Sequence, residues 1–315
     1  MEENQEGKVL SRIAPTPSGY LHVGNAFSFV LTWLITRKSG GKLLLRIDDN
    51  DATRSRPAYI EDIFYTLDWL GIDYELGPEG PDDFRKHYSQ HHRLPLYQQL
   101  LEGLKSRPGL VYACTCSRKQ ILEKSINGVY PGTCRPPSPS APQKPAALRI
   151  HVPEETLIAY RDRWTQQEKH VFLGKEMGDF VIRRKDQLPA YQIASLADDL
   201  HFGVNLIVRG QDLHLSTAAQ LYLAQCLSVS DSPLAQAAKG FEGISFVHHS
   251  LMLDEKGQKL SKSKGAAAIA ELRKAGKSPL QVYRQVAHFA GIPLEAATSL
   301  ESLLSHFHFP PFQGK

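Results

Sequence analysis

Long apolar runs are missing from this chain, and none approaches the roughly 20 apolar residues that a membrane helix needs. Met1 to Lys8 is polar and acidic, without the apolar centre of a secretory signal, so the sequence predicts a cytoplasmic protein with no membrane partner. Charge of one sign is scarce too. The 37 Lys and Arg against 33 Asp and Glu leave a net charge of +4, which permits nucleic-acid binding without arguing for it. Cysteine is rarer still, with four residues, three of them between positions 114 and 134. That excludes a disulfide framework, and in a reducing compartment the grouping points to a metal. No heptad pattern or charged tail is present, and no long exposed apolar stripe is evident, so a monomer is expected. What remains, 315 residues with 42% hydrophobic and 22% charged, suits one large domain or two moderate ones.

The chain is organised around its opening stretch, Arg12-Ile-Ala-Pro-Thr-Pro-Ser-Gly-Tyr-Leu-His-Val-Gly-Asn25. The apolar run Val9 to Ile13 reads as a buried strand, broken by two prolines and a glycine before an amphipathic segment begins. A strand emptying into a loop that opens a helix presents backbone N–H groups and a positive dipole end to an anion. His22 and Asn25 stand three apart there, and Gly24 leaves room for a flat ring to approach the backbone.

Phe27, Val30, Leu31 and Leu34 then repeat at helical spacing until Ser39-Gly40-Gly41, and Lys42 to Asp48 reads as the next strand. This βαβ unit predicts an α/β fold with a parallel sheet and ligands beyond the carboxyl ends of its strands. Arg46 and the group Asp48, Asp49 and Asp51 fall at that edge. Standing alone, the aspartates would be a solvated turn or helix cap. Tyr59 to Leu70 and Tyr88 to Leu104 read as amphipathic helices, Val111 to Ala113 as a strand. Beyond the proline-rich stretch 136–147, expected as an exposed loop, strand signals recur at 147–152, 170–173, 179–184 and 205–208. Arg209 ends the last of these. Ser216 to Leu227 closes this part as a helix, with Cys226 in the core.

Two further constellations carry chemistry. Cys114-Thr-Cys116, followed by Tyr130 and Cys134, offers three thiolates at a spacing that suits tetrahedral zinc. No histidine lies between Cys116 and Cys134, so Tyr130, water or a distant group such as His151 must supply the fourth ligand. The other is Lys259-Leu-Ser-Lys262-Ser-Lys264-Gly265, a basic loop behind a strand-like 245–253. Mobile point charges on such a loop suit pyrophosphate departure, although a basic loop by itself is more often simply solvated.

Together these segments resemble the class I aminoacyl-tRNA synthetases of the glutamyl branch. His22-Val-Gly-Asn25 is similar to the family's HIGH motif and Lys259-Leu-Ser-Lys-Ser263 to its KMSKS motif. Arg12 through Gly19, Leu45-Arg-Ile-Asp-Asp-Asn-Asp51, and Tyr191-Gln-Ile-Ala through Val208-Arg-Gly210 extend the likeness over roughly Val9 to Gly265. Within that branch the chain resembles the short group that places glutamate on the queuosine of tRNA(Asp). Its cysteine pattern is similar to that group's zinc site, in which Tyr130 would be the fourth ligand, and the chain ends 51 residues after Lys264, short for an anticodon-binding region.

The resemblance implies a Rossmann-type (HUP-like) catalytic domain in two halves, 1–110 and 179–240. Around these it implies a zinc-bearing insertion at 111–178 and, at 241–315, the lysine loop with a short helical region, without an anticodon-binding domain. It implies L-glutamate, ATP with Mg2+, and tRNA(Asp) bearing queuosine as substrates, and a structural zinc ion held by Cys114, Cys116, Tyr130 and Cys134. Arg12, Ala14, Pro15, Thr16, Tyr191 and Arg209 would hold glutamate, with Asp48 facing its ammonium where bacterial members usually carry the longer glutamate. His22, Gly24 and Asn25 would seat ATP, and His22, Lys259 and Lys262 would act on its phosphates.

Overall fold

The computed structural model describes residues 9–125, 127–135, 145–251 and 268–310. The chain forms two compact units, one from Met1–His92, Val204–Gln211 and Ser245–Lys315, the other from Arg93–Gly203 and Asp212–Ile244. Among the described residues the strands are β1 (Leu10–Ile13), β2 (Lys42–Leu45), β3 (Val111–Cys114), β4 (Ala147–Ile150), β5 (Leu157–Arg161), β6 (Glu168–Phe172), β7 (Val181–Arg183), β8 (Leu206–Gly210) and β9 (Ser245–His249).

In the first unit β2, β1, β8 and β9 lie side by side in that order, all parallel. Leu43, Leu44 and Leu45 are buried, as a strand covered on both faces requires. From β1 the chain steps outward to β2, and from β8 outward to β9 in the opposite direction, so the strand order reverses between β1 and β8. Parallel sheets open a ligand crevice beyond the carboxyl ends at such a reversal. The helix Val23–Lys38 packs on β1 and β8 and also against helices Leu280–Ala290 and Leu300–His306. It is therefore buried nearly all round. Phe27, Leu31 and Leu34 are almost wholly covered, each contributing about 1.5–3 kcal/mol. Its two buried threonines return their hydroxyls to the turn before, Thr32 to the Ser28 carbonyl and Thr36 to that of Thr32.

The expected strand Lys42 to Asp48 is shorter than its apolar pattern. Past Leu45 the backbone leaves the ladder yet stays tied to the opening segment, Arg46 donating to the Ile13 carbonyl (2.9 Å) and Asp48 to that of Pro15 (2.9 Å).

The second unit holds an antiparallel sheet in the order β3-β4-β7 and a hairpin of β5 and β6. Its helices are Leu94–Lys105, Arg118–Lys124, Tyr191–Phe202, His214–Ser228 and Ala235–Phe241, with shorter turns beside them. The helix expected from Tyr88 starts instead at Leu94, because Pro95 fits only in a first turn. Tyr191–Phe202 stops at Gly203, whose φ of 71° is the left-handed conformation that glycine adopts freely. Cys226 is buried within His214–Ser228. The lysine stretch 259–265 and most of the proline-rich segment lie outside the described residues. Among the described residues no helix is long and apolar enough to cross a membrane.

Candidate active site and cysteine cluster

β1 and β8 each carry a buried arginine near the carboxyl end. Arg12, next to the end of β1, is buried and reaches across to β8, its Nη1 donating to the Val208 carbonyl at 3.4 Å. Arg209, near the end of β8, is equally buried and sets its guanidinium 5.9 Å from the centre of the Phe246 ring on β9. Each guanidinium presents a planar fork of donors, the geometry that a carboxylate accepts. Asp48 supplies the opposite charge. It is gripped side-on by Arg46, Nε to Oδ1 at 2.7 Å and Nη2 to Oδ2 at 3.1 Å, in a pair with almost no exposed surface. A carboxylate so held keeps its orientation toward any ammonium that arrives. The neighbouring Asp49 is spent on the fold, accepting from the Ser89 hydroxyl (2.6 Å) and the Gln90 N–H (2.8 Å). Thr16, Pro17, Ser18 and Asp48 line a small cleft beside this pair.

Where the opening loop meets the helix Val23–Lys38, His22 is the N-cap. Its Nδ1 accepts the Gly24 N–H (3.1 Å), and Asn25 Oδ1 accepts the His22 N–H (3.1 Å). Two of the helix's unmade donors are thus satisfied by side chains of the motif itself. An imidazole that accepts at Nδ1 carries its proton at Nε2, where it becomes a donor suited to a phosphate oxygen. Gly24 makes this possible, because a Cβ there would lie 3.0 Å from His22 Cε1. Arg12, Ala14, Pro15, Thr16, His22, Gly24, Asn25, Asp48 and Arg209 all belong to the first unit, whereas Tyr191 opens a helix of the second. Lys259 and Lys262 lie outside the described residues.

The second unit gathers the cysteines. Cys114, Cys116 and Cys134 place their sulfurs within 4.8 Å of one another, Cys116 and Cys134 being 3.5 Å apart. Tetrahedral zinc with Zn–S bonds of 2.3 Å needs sulfurs ~3.8 Å apart, so the donor set fits the ion in kind and spacing. Tyr130 completes the group, its Oη lying 3.4 Å from Cys114 Sγ and 3.7 Å from Cys116 Sγ while accepting the Cys134 N–H (3.0 Å). His151, the distant alternative, instead turns Nδ1 to Asp179 (3.3 Å). Burial raises the Cys134 thiol's pKa, but hydrogen bonds from Tyr130, the Thr115 backbone and Cys116 outweigh it and bring the thiol down to about 7. Burial pushes the neighbouring Cys116 thiol up instead.

Beneath the cluster lies a network that sequence patterns did not single out. Asp179 is fully buried and accepts from Arg135 (2.6 and 2.9 Å), the Tyr112 hydroxyl and the Val152 N–H (2.9 Å). Burial pushes its carboxyl up, and the bonds from Arg135, Tyr112 and Val152 more than reverse this, leaving it below the ordinary value. Arg149 donates to the Asp179 carbonyl at 2.6 Å and lays its guanidinium 3.8 Å from the centre of the Tyr130 ring. The only sequence signal was the position of Asp179 at a strand start.

A parallel sheet whose strand order reverses, with a capped helix N-terminus after its first strand, is the α/β architecture of a nucleotide-binding catalytic domain. The comparisons with known proteins specify which. Residues 8–303 match the family described as tRNA synthetases class I (E and Q), catalytic domain, and the chain belongs to that family. It is 37% identical over 297 residues to a glutamyl-Q tRNA(Asp) synthetase of Symbiobacterium thermophilum, covering 89% of this chain and 86% of that protein. A glutamate–tRNA ligase of Desulfosudis oleivorans is 33% identical over 279 residues, 86% of this chain but only 54% of that protein. Among solved structures, the glutamate-tRNA synthetase of Elizabethkingia anophelis superposes with a TM-score of 0.74 at 22% identity, over 96% of this chain and 66% of that one, a likeness of fold.

Proposed function

We propose that this chain activates L-glutamate with ATP and transfers the glutamyl group to the queuosine of tRNA(Asp). The observation that carries this reading is that buried arginines, Arg12 and Arg209, stand near the carboxyl ends of neighbouring parallel strands, with the ion-paired Asp48 beyond the end of the next strand. Glutamate has two carboxylates and one ammonium; Arg12 and Arg209 would face the carboxylates, and Asp48, held by Arg46, the ammonium. In the first step a glutamate α-carboxylate oxygen attacks the α-phosphorus of ATP, the bond to the β-phosphate oxygen breaks, and pyrophosphate leaves. No covalent nucleophile of the protein is needed, since alignment and electrostatic stabilisation suffice. His22 would donate from Nε2 to a phosphate oxygen, while Lys259 and Lys262, with Mg2+, would take up the charge gathering on pyrophosphate. A hydroxyl of the queuosine cyclopentenediol then attacks the glutamyl carbonyl and AMP departs, leaving an ester.

In this reading Ala14, Pro15, Thr16 and Tyr191 contact glutamate, and Gly24 and Asn25 contact ATP. Residues 111–178 act as an insertion, between catalytic halves 1–110 and 179–240, whose shape a zinc ion on Cys114, Cys116, Tyr130 and Cys134 maintains. Two relatives described as glutamyl-Q tRNA(Asp) synthetases are 37% and 40% identical to this chain against 33% for the glutamate–tRNA ligase, a difference that favours queuosine over tRNA(Glu) as acceptor. The test is transfer of labelled glutamate onto total tRNA from cells able or unable to make queuosine. Label confined to tRNA(Asp) of the queuosine-containing pool is expected. Label on tRNA(Glu) in both pools would make the protein a compact glutamate–tRNA ligase, and no label in either would make it a silent tRNA-binding relative.

A further inference from the structure

The residue just before His22 is held from both sides of its backbone. The Leu21 N–H donates to Asp62 Oδ2 at 3.0 Å, and the Leu21 carbonyl accepts the Ile269 N–H at 2.9 Å. Asp62 sits on the helix Pro57–Trp69 and is 2% exposed. Its second oxygen, Oδ1, takes the guanidinium of Arg273 from the helix Ile269–Lys274. Next to this grip His22 pairs with Ala268 in an isolated antiparallel bridge, and the Trp69 indole N–H donates to the Lys277 carbonyl at 2.9 Å. Ala268 is the first described residue after the lysine stretch. Arg273 also lays its guanidinium 5.4 Å from the Tyr65 ring centre, one turn along the helix that carries Asp62. One carboxylate therefore ties together the backbone that presents the histidine and the helix that follows the lysines.

We propose that Asp62, through Arg273 and the Leu21 peptide, is a positioning residue for phosphate chemistry, fixing His22 against the segment that follows the lysine stretch. This rests on the reading above, that ATP is activated at this site. Geometry supports a role beyond stability. A surface carboxylate would satisfy Arg273 alone, and a helix cap would satisfy Leu21 alone. A single buried group doing both fixes the separation of the loop before His22 from the helix Ile269–Lys274, more than 200 residues away in sequence. Reactions that depend on alignment lose about a hundredfold for a displacement of roughly 1 Å.

The test compares Asp62→Asn, Arg273→Met and Arg273→Lys in glutamate-dependent ATP–pyrophosphate exchange, with and without bulk tRNA. Asp62→Asn keeps an acceptor for Leu21 but loses the ion pair. It and Arg273→Met are expected to lower kcat by about 10- to 100-fold while the KM for glutamate moves less than about threefold. Arg273→Lys should recover part of the rate, and the double variant should be no slower than the slower single one, as for residues acting as a unit. Thermal melting, run alongside, confines the comparison to temperatures where every variant is folded. Wild-type kcat in Asp62→Asn and Arg273→Met, or losses that multiply in the double variant, overturns the proposal. If the wild type shows no exchange with glutamate, the functional reading fails instead. ATP affinity by titration calorimetry then reports on the grip, which a variant binding ATP as tightly as wild type would refute.

Discussion

Asp179→Asn probes the network beneath the cysteine cluster with minimal change of shape. The substitution leaves one acceptor oxygen and turns an amide toward groups that are themselves donors, namely Arg135, the Tyr112 hydroxyl and the Val152 N–H. Each hydrogen bond to a charged group contributes about 1.5–3 kcal/mol. At least two are lost, but Arg135 is 41% exposed and regains water, so the net destabilisation is about 2–4 kcal/mol. Were the chain to melt as a domain of 150–250 residues, 3 kcal/mol would lower Tm by about 6–12 °C. Urea unfolding followed by tryptophan fluorescence, with chelator present so that metal does not enter, measures it.

The sign with pH follows from the depressed carboxyl. A group whose folded pKa lies below its unfolded value stabilises fully above about pH 4 and loses that contribution as pH falls through the folded value. The gap between wild type and Asp179→Asn should therefore hold from pH 7 down to about 4 and narrow below it. A gap under about 0.5 kcal/mol at pH 7, or one that stays constant into acid, would refute the assigned role of Asp179.

Three other outcomes are expected. Cys134→Ala should abolish stoichiometric zinc in metal analysis of purified protein, while Cys226→Ala, outside the cluster, retains it. Zinc affinity, read by competition with a chromophoric chelator, should fall as pH is lowered, because burial pushes the Cys116 thiol up and it must lose its proton to bind, and fall more steeply below about 7, where Cys134 is protonated as well. Gly24→Ala should slow pyrophosphate exchange by about tenfold or more, since its Cβ would press on the His22 ring and turn Nε2 away; an unchanged rate would remove His22 from the phosphate site.

The parallel α/β core was legible because its signals are local. Leu43-Leu44-Leu45 marks a covered strand, and the prolines and glycines after Ile13 mark where the strand must empty into a loop. The cysteine group was legible for the same reason, its four members lying within 21 residues. What escaped was set by tertiary partners. Nothing in the run Asp48-Asp49-Asn50-Asp51 distinguishes the aspartate paired with Arg46 from the one that fastens Ser89 and Gln90, because the difference lies in groups about 40 residues away. Asp62 sits in an ordinary amphipathic helix, and its partner Arg273 in another. The Tyr88 to Leu104 reading failed on a local rule, since Pro95 bars the helix from starting a turn and a half earlier.

The placement of β8 beside β1 has a consequence for how the molecule is made. Arg12 and the Val208 carbonyl are 196 residues apart in sequence, so at ribosomal rates of 5–20 residues per second the first strand waits about 10–40 s for its neighbour to emerge. Until then β1 and β2 form a two-stranded parallel ribbon with one open, apolar edge, the kind that pairs promiscuously with other chains. The nascent protein should lean on chaperones during that interval, and Arg209 joins Arg12 in the sheet only when the later strand arrives.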